Sequence, residues 1–113
     1  MSSPASSLAP AIAAYIAAAN ARDTSRVASF FAEDANVFDE GQHQVGTQAI
    51  AQWMQDAALR YQPRVEVLDV QLRTGKVLVH NLISGTFPGS PLELRYMFRL
   101  NEQGKIARLD ISV

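Results

Sequence analysis

Hydrophobic positions divide this chain into two halves with different periods. Leu8, Ile12, Tyr15, Ile16 and Ala19 recur at steps of three and four, which predicts an amphipathic helix with one apolar stripe. Asp23 or Thr24 is placed to cap a short second helix whose Val27, Phe30 and Phe31 share a face. A brief strand from Asn36 to Asp39 then runs into a turn at Glu40-Gly41. Thr47 is expected to cap a third helix, with Ile50, Trp53, Met54 and Ala57 inward and its end before Pro63.

Beyond Pro63 the period changes to two. Residues 64–73 carry Val65 and Val67, then Leu68, Val70 and Leu72, and this flip of phase predicts a β-bulge that bends the sheet. Thr74-Gly75 turns the chain into Lys76–Phe87, apolar on both faces and read as a central strand. After Pro88-Gly89-Ser90, the positions Leu92, Leu94, Tyr96, Phe98 and Leu100 alternate with Glu93, Arg95, Met97 and Arg99, a strand with one buried face. A loop at Asn101–Gly104 leads to a last strand with Ala107, Leu109, Ile111 and Val113 inward. The expected register sets Phe98 opposite Ala107, Tyr96 opposite Leu109, and Arg95 across from Asp110. Three N-terminal helices followed by long strands predict an α+β fold: a strongly bent, mixed or antiparallel sheet, cone-shaped, with helices on one face. A cone has an interior, where a small molecule would sit.

Composition narrows the function. The chain has 113 residues, 48% hydrophobic and 19% charged, which fits one domain over 10–113 behind a flexible leader at 1–9. A net charge of −1 offers no electrostatic footprint for nucleic acid or an anionic membrane. No cysteine is present, which excludes a disulfide framework, a thiol nucleophile and a Cys-based zinc site. Two histidines cannot fill a His-rich metal site, so neither metal nor cofactor is expected. No basic segment precedes the Ala-rich run after Pro10, and no apolar run approaches the roughly 20 residues of a spanning helix. A cytoplasmic location is expected.

The stretches IAAYIAAANARDTSRVASFFAEDANVFDEG and VGTQAIAQW carry the patterns Asn-Ala-x-Asp, Phe-Ala-x-Asp-Ala and Gly-Thr-x-Ala-Ile. With the order of elements, they make residues 10–112 resemble the nuclear transport factor 2-like superfamily, and within it the ketosteroid isomerase and SnoaL-like group. The resemblance places the family's oxyanion-donating tyrosine on Tyr15 and its aspartate base on Asp39, 24 residues apart as in the family. Tyr96 falls where the family carries a protonated aspartic acid, and Met54 where it carries a supporting tyrosine. It implies catalysis by Asp39, Tyr15 and Tyr96, and a pocket of Trp53, Met54, Phe98 and Phe31. It also implies a small hydrophobic carbonyl or phenol-like ligand and a homodimer formed through the outer sheet face, where Met97, Ile106 and Leu82 stand among charges.

A base beside the carbon next to a carbonyl, with donors at the oxygen, is the machinery of keto–enol isomerisation. Simpler readings stand beside it. A tyrosine on a buried helix stripe is ordinary core, and an aspartate before a turn is ordinary turn chemistry. Trp53 reads as core or as cavity wall. His43 could pair with Asp39 in an elimination dyad or stand idle in its loop. His80 reads as a hydrogen-bonded residue at the dimer face or the cavity wall, and Glu33-Asp34 as a solvated turn. Gly85 and Gly89 lack any phosphate-loop context. The alternatives to an enzyme are a non-catalytic ligand-binding module and a dimerisation domain with a filled cavity.

Overall fold

A computed structural model describes residues 8–113. Its helices are α1 (Pro10–Ala21), α2 (Val27–Phe30) and α3 (Thr47–Tyr61), and its strands are β1 (Phe31–Asp39), β2 (Gln42–Val45), β3 (Arg64–Arg73), β4 (Lys76–Ser84), β5 (Leu92–Leu100) and β6 (Ile106–Ser112). The strands form one sheet in the order β2-β1-β6-β5-β4-β3. Among the described residues only the β1–β6 neighbours run parallel, so the sheet is mixed; it packs against the three helices and does not close into a barrel. Of the expected leader, residues 1–7 lie outside the described residues. Leu8 and Ala9, the described part of that stretch, pack against the core.

Pro10 occupies the first turn of α1, where its missing N–H costs nothing. The helix closes on Arg22 in the left-handed region, φ 54°, while the Asp23 N–H bonds back to the Ala18 carbonyl at 3.0 Å. Asp23 does not cap α2. Its Oδ1 accepts from the Ser25 N–H at 2.9 Å and the Ser25 hydroxyl at 2.6 Å, which makes a turn before a helix of four residues. Phe31 belongs to β1, not to α2. Thr47 is likewise no cap: it is the first helical residue of α3, after Gly46 at φ 91°, and no side chain caps that end.

Asn20 anchors α1 to the sheet. Its Nδ2 donates to the Val65 carbonyl at 3.0 Å, and its Oδ1 accepts from the Val65 N–H at 2.7 Å. Those backbone groups lie on the free edge of β3, so the amide replaces a missing strand.

The β3 bulge falls at Leu68, as the phase flip requires: Val67 pairs with Asn81 and Asp69 with His80. β4 ends at Ser84 instead of reaching Phe87, and it lies one strand in from an edge rather than at the centre, which β6 and β5 occupy. The last hairpin differs by two residues from expectation. Tyr96 pairs with Ile111, Phe98 with Leu109 and Arg95 with Ser112. The cause lies in the loop, where Asn101 Oδ1 accepts from the N–H groups of Gln103 and Lys105, and the Asn101 N–H reaches the Lys105 carbonyl at 2.8 Å. A bulge beside Leu100 follows, so Ile106 turns fully inward and is absent from the outer face, while Val113 is exposed. Asp110 therefore pairs with Arg108 of its own strand, at 2.9 Å, and not with Arg95.

Phe31, Phe98, Ile12, Ile50, Ile106, Leu109, Val37 and Val79 fill the space between sheet and helices without solvent contact. Each such side chain contributes roughly 1.5–3 kcal/mol over its exposed state.

Candidate functional site

Between the sheet and the helices α1 and α3 lies a cavity of about 810 Å³. Tyr15 from α1, Asp39 from β1, Trp53 and Met54 from α3, and Tyr96 from β5 all face it. Trp53 and Tyr96 line the cavity without filling it. Phe98 and Phe31 do not line it. Both are fully buried one layer behind, where they hold the Tyr15 ring edge-on at centroid distances of 6.0 and 5.5 Å. The Tyr96 ring lies 6.3 Å from that of Tyr15. Polar residues gather at the mouth, among them Arg22, Gln52 and Arg60.

Asp39 owes its position to the turn that follows. Glu40 (φ 52°) and Gly41 (φ 76°) are both left-handed, the pattern of a tight two-residue hairpin between β1 and β2. β1 alternates, so Val37 and Asp39 face the helices while Asn36 and Phe38 face away. The indole Nε1–H of Trp53 donates to Asp39 Oδ2 at 3.2 Å. Burial pushes the Asp39 carboxyl above its ordinary value, the neighbouring charge of Glu40 adds to this, and the Trp53 bond partly opposes it.

Both phenols are shifted well above the ordinary tyrosine value, chiefly by burial; the proximity of Tyr96 and then of Asp39 adds to the shift of Tyr15, and the proximity of Asp39 adds to that of Tyr96, which hydrogen bonding with Tyr15 partly opposes. They therefore stay protonated donors across the physiological range. Asp39 lies within electrostatic reach of both hydroxyls. The arrangement amounts to a half-buried carboxylate, oriented by an indole, opposite two neutral donors in an apolar chamber.

The histidines are elsewhere. His43 stands on β2 with its Nδ1 2.9 Å from Asn36 Oδ1 and its ring against Phe38, on the face opposite Asp39, so no Asp–His dyad forms. His80 is on the outer sheet face, 3.5 Å from Glu93, and not in the cavity wall. Glu33 and Asp34 are exposed within β1 rather than in a turn. Two asparagines were given no role by the sequence: Asn20, the first residue of the Asn-Ala-x-Asp pattern, which ties α1 to the cavity-lining Val65, and Asn81, fully buried in β4. Asn81 had a visible signal, since it interrupts the apolar phase of Val79 and Ile83.

A bent mixed sheet with three helices packed on one face defines the fold of the nuclear transport factor 2-like and ketosteroid isomerase-like proteins, with an acid and two phenols lining its chamber. The chain belongs to the SnoaL-like domain family, whose profile matches residues 12–109. A Sinorhizobium meliloti protein, provisionally named a polyketide cyclase, is 36% identical with a TM-score of 0.91, over 96% of this chain and 98% of its own. A ketosteroid isomerase-like protein from Catenulispora acidiphila, crystallised with trimethylamine, shares 16% identity at a TM-score of 0.79, over 92% and 85% of the two chains. TerC, co-crystallised with polyporic acid, shares 17% identity at 0.78, over 97% and 91%. These two distant likenesses speak to the fold alone. No protein of curated function matches. Among the described residues, no helix is long and apolar enough to cross a membrane.

Proposed function

We propose that the cavity takes a small, largely apolar carbonyl compound and that Asp39 abstracts a proton from the carbon beside its carbonyl, in an isomerase- or cyclase-type reaction. The observation that carries this reading is the convergence of Asp39, Tyr15 and Tyr96 on one open chamber. The S. meliloti likeness, provisionally named a cyclase, supports the same reaction class. Desolvation makes the carboxylate a stronger base than in water, and the Trp53 indole aims it. As the C–H bond breaks, its electron pair moves to the carbonyl oxygen, which gains charge and accepts from the Tyr15 and Tyr96 hydroxyls. Asp39, now protonated, returns the proton to another carbon, or the enolate carbon attacks a second carbonyl and closes a ring, and the alkoxide so formed takes the proton back from Asp39. A positioned base is typically worth about 10²–10⁴-fold, and loss of one donor costs about 10²–10³-fold.

A fluorescent phenol that mimics the enolate tests the oxygen site, and an isomerase assay on an unsaturated ketone tests turnover. Wild type is expected to bind the phenol more tightly than Tyr15→Phe and to turn over the ketone, while Asp39→Asn binds without turnover. Equal binding by wild type and Tyr15→Phe, with no turnover in either, overturns this reading in favour of a non-catalytic module of the same fold. We further propose a homodimer through the outer sheet face, where half-buried Leu78, Leu82 and Met97 lie among charges. Light scattering that returns the mass of one chain at micromolar concentration refutes it.

A further inference from the structure

Asn81 is a buried polar residue that this chemistry leaves unused. It lies in β4 in phase with Val79 and Ile83, so its amide enters the layer between sheet and helices, where it has no solvent exposure. Among the described residues, neither its Nδ2 nor its Oδ1 has a hydrogen-bond partner. Buried polar groups are almost always paired, because an unpaired one forfeits its hydration with no return. The contrast with Asn20 is direct, since both ends of that amide are satisfied by Val65.

The surroundings of Asn81 indicate what would complete it. Leu94 stands directly across on β5, and Tyr96 is its diagonal neighbour on the same face. Ile83 follows two residues along β4. All three line the cavity, although Asn81 itself is sealed from it. Diagonal neighbours on a sheet face are about 7–8 Å apart. The amide therefore lies one side chain beneath the cavity wall, set back from the Tyr15–Tyr96 donors along the sheet. Leu94 is only half-buried, so recognition of a ligand by the amide requires this neighbour, directly across on β5, to change rotamer.

We propose that Asn81 recognises a second oxygen of the ligand, so that the site selects a flat apolar molecule carrying oxygen functions at both ends. This rests on the reading above, in which the first oxygen lies against Tyr15 and Tyr96. A primary amide donates through Nδ2 and accepts through Oδ1, so it pairs with a hydroxyl or a carbonyl. A ligand that ends in hydrocarbon leaves it unpaired, and sites with an unpaired polar group discriminate strongly for that reason.

2-Naphthol and 2,6-dihydroxynaphthalene share one frame and differ only in the second hydroxyl. Calorimetric titration of wild type is expected to show the diol binding about tenfold more tightly. Asn81→Leu is expected to bind both with the wild-type affinity for 2-naphthol. That variant also loses an unpaired amide, so it should melt above wild type; if it fails to fold, the wild-type ratio decides alone. Equal affinities in wild type, with 2-naphthol binding weakened by Tyr15→Phe, overturn the role of Asn81 and leave the cavity reading intact. A preference for the diol that survives in Asn81→Leu also overturns it. Binding of neither compound overturns both readings.

Discussion

Replacing Asn20 by alanine removes the two hydrogen bonds, of 3.0 and 2.7 Å, that tie the end of α1 to the open edge of β3. A typical intramolecular hydrogen bond contributes about 0.5–1.5 kcal/mol net, so the pair is worth about 1–3 kcal/mol. The lower end applies if water reaches the freed Val65 N–H and carbonyl, and the upper end if they stay dry. At about 4 °C per kcal/mol for a chain of this size, the melting temperature should fall by about 4–12 °C. Thermal denaturation followed by circular dichroism measures this, with urea unfolding as a check on the free energy. Asn20→Asp sharpens the test. When ionised it keeps the acceptor for the Val65 N–H but cannot donate to the Val65 carbonyl, so its defect should shrink as the pH falls and the carboxyl regains a proton. A loss within about 0.5 kcal/mol for Asn20→Ala, the scatter of ordinary surface changes, would refute the idea that this amide substitutes for a strand. Because Ala18, Ala19 and Val65 line the cavity, the same variant should also weaken ligand binding.

Asp39→Asn should stabilise the fold at neutral pH. The native carboxyl titrates above its unfolded value, so wild type suffers no penalty below the unfolded pKa of about 3.9 and loses stability as the pH rises through the native value. Melting curves of the two proteins should therefore coincide in acid and separate toward pH 7; a variant less stable at pH 7 contradicts the burial assigned to this group. Gly85→Ala should destabilise by about 1–3 kcal/mol, because an added Cβ would lie 2.5 Å from the Tyr61 carbonyl at the end of α3. Unchanged urea unfolding of that variant would show that the contact yields freely.

The helices and the long strands were legible because each buries one stripe or one face, and hydropathy repeats at the matching period. The bulge at Leu68 was visible for the same reason, since a phase flip has no other solution in a strand with one buried side. β2 was not legible. Gln42–Val45 is mostly polar and pairs only with β1, so its strand character comes from the tight turn at Glu40-Gly41 and not from its own pattern. The final hairpin slipped by two residues, a shift that keeps buried faces matched and so leaves no trace in hydropathy; the Asn101 side chain decides it. Tyr15, Asp39 and Tyr96 were singled out by family resemblance, but no local pattern could show that Trp53 would aim the acid. Nor could it show that Phe31 and Phe98 would stand behind the tyrosines instead of facing the cavity. These are contacts between distant segments, and they exist only once the chain is folded.

Proton abstraction by Asp39 is tested most directly by exchange of the acidic hydrogens of a β,γ-unsaturated cyclic ketone in D₂O. Proton NMR follows their loss with wild type, with Asp39→Asn and in buffer alone, at a ketone concentration where calorimetry shows binding to both proteins. Wild type should exchange the hydrogens beside the carbonyl faster than buffer, and Asp39→Asn should be slower by about 10²–10⁴-fold. Exchange at equal rates in wild type and variant, or no acceleration over buffer with the ketone bound, would contradict the role of Asp39 as the base.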